Sequence, residues 1–230
     1  MENLNKVLVG SIVAKHPHTA KIFKAYKMDF CCGGDITLED ICTKKQVILD
    51  EVESKLQDVI AHAIPEQEDC NSWDLVTLVE HIETQYHRKA EADINDLMPH
   101  LDKVVRVHGE GHPHLPAVRN LFLQLVADLG DHMIKEEKVL FPMIRESKGV
   151  ISPELAEKLD IEISALHTEH EAVGDILEQI SNLTNSFTPP EGACRTYRLV
   201  YQLLELFQDA LHIHVHLENN ILFTKIRNKK

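Results

Sequence analysis

Residues 118–139 read VRNLFLQLVADLGDHMIKEEKV. Within them Val118, Phe122, Leu125, Leu129, His132, Glu136 and Val139 recur at alternating steps of four and three, which aligns them on one face of an α-helix. An otherwise apolar seam thus carries a histidine and, one turn later, a glutamate into the core. Three other stretches repeat the pattern. Leu159, Ile163, Leu166, His170, Val173, Leu177 and Ile180 form one, and Leu203, Phe207, Ala210, His214, Leu217 and Ile221 a second, with Glu218 one turn beyond His214. His87, Ala90, Ile94, Leu97, Leu101 and Val104 form the last. Burying unpaired polar groups costs several kcal/mol each, so four such seams make a poor core unless a bound cation rewards them.

Spacing alone is a weak filter, because His-x-x-x-Glu also occurs at His62 and His167, where it reads as a surface i,i+4 pair. Seam membership leaves His87, His132, His170 and His214 with Glu136 and Glu218. Imidazole and carboxylate donors without a nearby seam cysteine suit iron, manganese or zinc and disfavour a thiolate site. Six donors exceed one closed tetrahedral zinc and suit two metals sharing bridging glutamates. Glu83 and Glu91, one turn either side of His87, are candidate hydrogen-bond partners or surface residues, and Glu169 is a further neighbour. Glu137 reads as solvated, and His216 points away from the seam. His16, His18, His100, His108, His112 and His114 read as solvated, with His108 and His112 candidates for an access path.

The helical pattern extends over most of the chain. Four long stretches, about 73–107, 116–147, 152–182 and 193–227, are separated by turn-rich segments, with Pro99 a point where the first would kink or end. Ser152 and Pro153 mark a helix start. Shorter amphipathic stretches at 7–15, 19–27, 38–45 and 49–62 form a small N-terminal module, with Thr37 as an N-cap. No segment alternates as a strand. The expected fold is all-α: a helical module over 1–62, a polar linker at 63–72 and an up-and-down four-helix bundle over 73–230.

Composition narrows the function. The 230 residues are 43% hydrophobic, with 24 basic against 37 acidic residues and a formal charge of −13. Only Arg227, Lys229 and Lys230 cluster as a basic patch, which argues against nucleic acid as a partner. The longest apolar run, 7–14, is too short to span a bilayer, and no secretory leader is legible. Five cysteines, two of them adjacent, form no even disulfide framework and suit a reducing cytoplasm. Cys42, Cys70 and Cys194 read as structural. Cys31 and Cys32, on a Gly33-Gly34 turn, are the reactive pair: adjacent thiols there could exchange disulfides, bind iron or react with nitric oxide.

The runs HMIKEEKVLFPMI, TEHEAVG, VHLENNILF and DFCCGGDITLED resemble those of the di-iron iron-sulfur cluster repair proteins, and the resemblance covers nearly the whole chain. The absence of any Glu-x-x-His separates it from ferritin-type carboxylate sites and favours a hemerythrin-like one. The resemblance implies six ligands, His87, His132, Glu136, His170, His214 and Glu218, holding two non-haem irons per chain as an oxo-bridged centre bridged by the two glutamates. It also implies a homodimer, a role for Cys31 and Cys32, and supply of iron to iron-sulfur proteins damaged by nitrosative or oxidative stress. Competing expectations are reduction of nitric oxide, reversible dioxygen binding or sensing, and a helical adaptor with a structural zinc.

Overall fold

The computed structural model describes residues 3–62 and 70–228. Four short helices, α1 (Val9–Lys15), α2 (Ala20–Ala25), α3 (Leu38–Lys45) and α4 (Leu49–Ala61), precede four long ones, α5 (75–108), α6 (114–147), α7 (Pro153–Leu183) and α8 (195–227). The connections from α5 to α7 are short, so those helices run antiparallel to their neighbours; α6 packs along α7, and α5 packs along both α6 and α8. This is the expected up-and-down bundle. No strand forms among the described residues; a single antiparallel bridge pairs Leu8 with Thr37.

Local chemistry sets the helix starts. Asp74 accepts from the Thr77 amide at 2.8 Å, so α5 begins at Leu75 rather than at Trp73. The helix then continues through Pro99 to His108. Thr37 caps α3 by accepting from the Asp40 amide, and Ser152 caps α7 by accepting from the Leu155 amide at 3.2 Å, with Pro153 in the first turn. Ser152→Ala is expected to cost about 1 kcal/mol, the usual worth of an N-cap hydroxyl. A urea unfolding midpoint that does not move would show that this cap contributes nothing.

Three of the long helices contain a wider π turn: Ile82–His87 in α5, Glu136–Leu140 in α6 and Leu217–Leu222 in α8. Each adds a residue to one turn and rotates the rest of its helix about the axis, a distortion often found at functional sites. It also corrects the heptad count. Val139, expected in the seam, is 39% exposed, and Leu140 is buried in its place.

The N-terminal module lies directly on the bundle. Val9 donates to the Ile36 carbonyl at 2.9 Å and Gly10 to the Gly34 carbonyl at 2.8 Å, closing α1 against the Cys31–Gly34 loop. The Phe30 ring meets His212 and His216 of α8 edge-on, at 6.1 and 5.8 Å. One apolar cluster runs from Leu4 and Val9 through Phe30 into Leu211 and Val215 of α8. The expected 63–72 linker falls largely outside the described residues; its last three, Cys70–Ser72, form a 3-10 turn.

Candidate metal centre

Each long helix delivers a histidine to one point in the bundle: His87 from α5, His132 from α6, His170 from α7 and His214 from α8, while Glu136 and Glu218 arrive from α6 and α8. All six are at most 2% exposed. Their donor atoms fall into two groups of four, one with His87 and His214, the other with His132 and His170, and both groups contain Glu136 and Glu218. Glu136 Oε2 lies 3.3 Å from His87 Nε2 and 3.4 Å from His132 Nε2, one histidine of each group. Glu218 does the same with its two oxygens, Oε1 at 2.8 Å from His214 Nε2 and Oε2 at 3.1 Å from His170 Nε2. The carboxylates therefore sit between two imidazole pairs.

Several atoms of this constellation cannot be at rest as ordinary core polar groups. His87 Nε2, both oxygens of Glu136 and Glu218 Oε2 are buried without a hydrogen bond, although burial normally demands one. His132 and His170 pose a sharper conflict. Their Nδ1 atoms face acceptors, Glu169 Oε2 and Asn219 Oδ1, each at 3.0 Å, so Nδ1 carries the proton. Neutral rings so tethered set two Nε2 lone pairs against each other across 3.0 Å. Only a proton or a metal cation between them relieves this.

The titration behaviour agrees with the geometry. Burial disfavours a charged His87, yet Glu136 and Glu218 override it and push its pKa up to about 10. Burial likewise opposes charge on His132, where Glu136 raises the pKa to about 9. Burial and the neighbouring Glu218 press Glu136 upward, but His132 and His87 bring it below the ordinary carboxylate value. Burial is outweighed at Glu218 by His214, His170 and His87, which hold it well below that value. Two buried carboxylates thus stay ionised only because positive charge faces them. A cation loaded here displaces the imidazole protons.

Aromatic rings wall the site. Phe141 stacks on His87, Tyr86 on His214 and Phe223 on His170, with centroids 5.5, 5.7 and 6.2 Å apart. Around them one hydrogen-bond partner differs from expectation. His87 Nδ1 bonds Glu137 Oε1 at 2.9 Å, so Glu137 is not solvated but supports the site. The wide turn of α5 carries Glu83 away to an ion pair with Arg145, and Glu91 pairs with Arg88 on the surface. Glu169 bonds His132 and Lys135. His216 points away from the metal cluster, yet it is buried against the Phe30 carbonyl, and burial lowers its pKa to about 4.

His108 and His112 line no path to this site. Their rings lie 5.5 and 5.4 Å from Tyr197, which precedes His214 by 17 residues of α8, about 25 Å at the helical rise. His114 also belongs there, its Nε2 2.9 Å from the Tyr201 hydroxyl.

The cysteine loop approaches from the other side. Asp29 folds its carboxylate under the loop, accepting from the amides of Cys31 (2.8 Å), Cys32 (3.0 Å) and Gly33 (2.9 Å). Cys31 Sγ lies 3.2 Å from Asp29 Oδ1 and 3.9 Å from Cys32 Sγ, so these three residues form another donor group. The contact with Cys32 and burial push the Cys31 thiol well up, so it is protonated at neutral pH. Cys32 is half-buried. Asn219 Nδ2 donates to the Cys31 carbonyl at 3.3 Å while its Oδ1 accepts from His170, so one amide joins the loop to the cluster.

Fold and donor set define a hemerythrin-type cation-binding bundle. Residues 77–226 match the family described as the hemerythrin HHE cation binding domain, and residues 6–60 match a family described as a domain of unknown function, DUF542. The iron-sulfur cluster repair protein ScdA of Staphylococcus haemolyticus is 34% identical over 224 residues, 96% of this chain and 98% of that protein. A probable iron-sulfur cluster repair protein of Haemophilus influenzae is 34% identical over 96% of this chain and 97% of its own length. The iron-sulfur cluster repair protein YtfE of Escherichia coli O81 is 33% identical over 94% of both chains. The chain belongs to this family of iron-sulfur cluster repair proteins. Its buried His and Glu groups fit an iron-binding site. Among the described residues no helix is long and apolar enough to cross a membrane.

Proposed function

We propose that this chain restores iron-sulfur clusters damaged by nitrosative or oxidative stress, and that it does so by supplying iron. The observation that carries the reading is the pair of four-donor groups sharing both buried glutamates. His87 and His214 would hold one iron and His132 and His170 the other, with Glu136 and Glu218 serving both. Bound iron supplies an exchangeable ferrous ion and open coordination positions for small molecules such as nitric oxide or dioxygen. The chain's own part is to keep two carboxylates ionised in an aromatic-walled, water-poor core. Ligation by imidazole and carboxylate, without thiolate, keeps the ions exchangeable. The half-buried Cys32 and its neighbour Cys31 would assist as iron ligands outside the bundle, each thiol releasing its proton to solvent as iron binds, in the cytoplasm and within a homodimer.

The test uses the full chain loaded anaerobically with about two equivalents of iron-57 and mixed with a nitric-oxide-damaged cluster protein. Recovery of the cluster with the label inside it is expected, as is a homodimer on sedimentation. Recovery without label, or none, would sink the donor reading. Cys31→Ser and Cys32→Ser together are expected to leave the iron content unchanged and slow label transfer at least about tenfold, the scale on which loss of one supporting ligand acts. Unchanged transfer would remove the thiols from the mechanism.

A further inference from the structure

The two metal positions are not equivalent in how the protein supports them. A ligating imidazole is fixed in tautomer and orientation, and made more basic, by an acceptor on its outer nitrogen. Three of the four histidines have one: Glu137 on His87, Glu169 on His132 and Asn219 on His170, at 2.9, 3.0 and 3.0 Å. The fourth does not. His214 Nδ1 is buried and has no hydrogen-bond partner among the described residues.

The difference divides the two donor groups. His132 and His170 are both tethered, and Asn219 is itself anchored on the Cys31 carbonyl. In the other group only His87 is tethered, and its Glu137 oxygen is shared with Arg88. The same side also borders a cavity. A small pocket reaches His214 between Tyr86, Phe207 and Leu211, and Lys89 and Asp93 stand at it. The Lys89–Asp93 ion pair, 2.6 Å long, is partly exposed, so opening it is cheap and frees a carboxylate beside the way out.

Resting on the proposed dinuclear reading, we infer that the iron held by His87 and His214 is the one the protein gives up, through the Tyr86–Asp93 pocket, while the iron held by His132 and His170 stays. One face of the bundle is then the donating face. The retained ion keeps Glu136 and Glu218 in place for refilling.

The experiment is release of ferrous iron from the anaerobic full-length holoprotein to excess bipyridine, monitored by absorbance. Two phases of about one iron each are expected, the first at least about tenfold faster, as the loss of one supporting hydrogen bond implies. Glu137→Ala is expected to speed the fast phase alone, with Glu137→Gln, which keeps an acceptor oxygen, close to the parent. Glu169→Ala is expected to speed the slow phase alone. Ala210→Leu, which fills the pocket, is expected to slow the fast phase alone. Release of two irons in one phase overturns the inequivalence and leaves the dinuclear reading standing. Acceleration of the slow phase by Glu137→Ala overturns the assignment of the irons. Fewer than two irons in the starting protein overturns the reading beneath both.

Discussion

Glu218→Ala is expected to abolish metal binding, leaving well under one iron per chain where the parent is expected to hold about two. Its carboxylate is the counter-charge that His87, His170 and His214 face, and all four residues are buried. Removing it takes away a donor from both groups at once, so loss of one residue costs two sites. His170 and His214 lose the carboxylate that compensated their burial, while Glu136 keeps only His87 and His132. Glu218→Gln keeps the volume and one oxygen but no charge, so it is expected to fall between the two, with at most about one iron retained. A ligand that binds only the folded state stabilises by about 2.7 kcal/mol at a hundred times its dissociation constant, so the parent's unfolding midpoint should rise on loading and the variant's should not.

The informative control is Glu91→Ala. Glu91 stands at the same i,i+4 distance from His87 as Glu218 from His214, yet it is 48% exposed in its side chain and paired with Arg88. Exposed pairs of this kind contribute at most about 1 kcal/mol, so metal content should not change. Elemental analysis of the purified proteins beside thermal melts reads all three. Full iron in Glu218→Ala would mean that the ligand set is wrong.

That contrast separates the part of the site legible in the sequence from the part that is not. An apolar stripe at helical spacing reports the burial of the four histidines directly, but it does not separate Glu218 from Glu91, each four residues beyond its seam histidine; that separation rests on the family resemblance and on the burial of Glu218 in the structure. The stripe also brings His87, His132, His170 and His214 to one place without reference to any relative. The partners of those histidines are not legible. Glu137 reads as solvated because a regular helix turns it away from Glu136; the π turn that begins at Glu136 brings it under His87. The same distortion exposes Val139, and its counterpart in α5 moves Glu83 out to Arg145. A local change of helical pitch leaves no period in the sequence, so its consequences emerge only in three dimensions. Asn219 is hidden for another reason. It acts across two modules, between Cys31 and His170, and pairing between distant segments is invisible to a reading along one helix.

The joint between those modules makes neighbouring glycines respond oppositely. At Gly34 an added Cβ would lie 2.7 Å from the Phe30 carbonyl oxygen, 2.8 Å from Asn220 Oδ1 and 3.0 Å from Gly10 Cα. Two of these are backbone, and Asn220 is held in turn by donating to the Phe30 and Cys31 carbonyls at 3.3 and 3.0 Å. Nothing there can yield cheaply, so Gly34→Ala forces the cysteine loop off α8, at about 1–3 kcal/mol for overpacking a filled site. At Gly33 the nearest atom is a side-chain oxygen of Asp29 at 3.2 Å, which can shift by a few tenths of an ångström. Gly33→Ala is therefore expected to be close to neutral. The readout is alkylation of Cys31, which is 7% exposed in the docked loop. Gly34→Ala is expected to speed its modification at least about fivefold, the population change that about 1 kcal/mol brings. Iron content should hold near two, because none of the six donors belongs to the loop, while label transfer falls with the thiols displaced. Equal alkylation rates in the two variants would show that the loop is not held by this contact, and loss of iron in Gly34→Ala would show that the Asn219 link from the Cys31 carbonyl to His170 is required for iron to bind and does not merely slow its release.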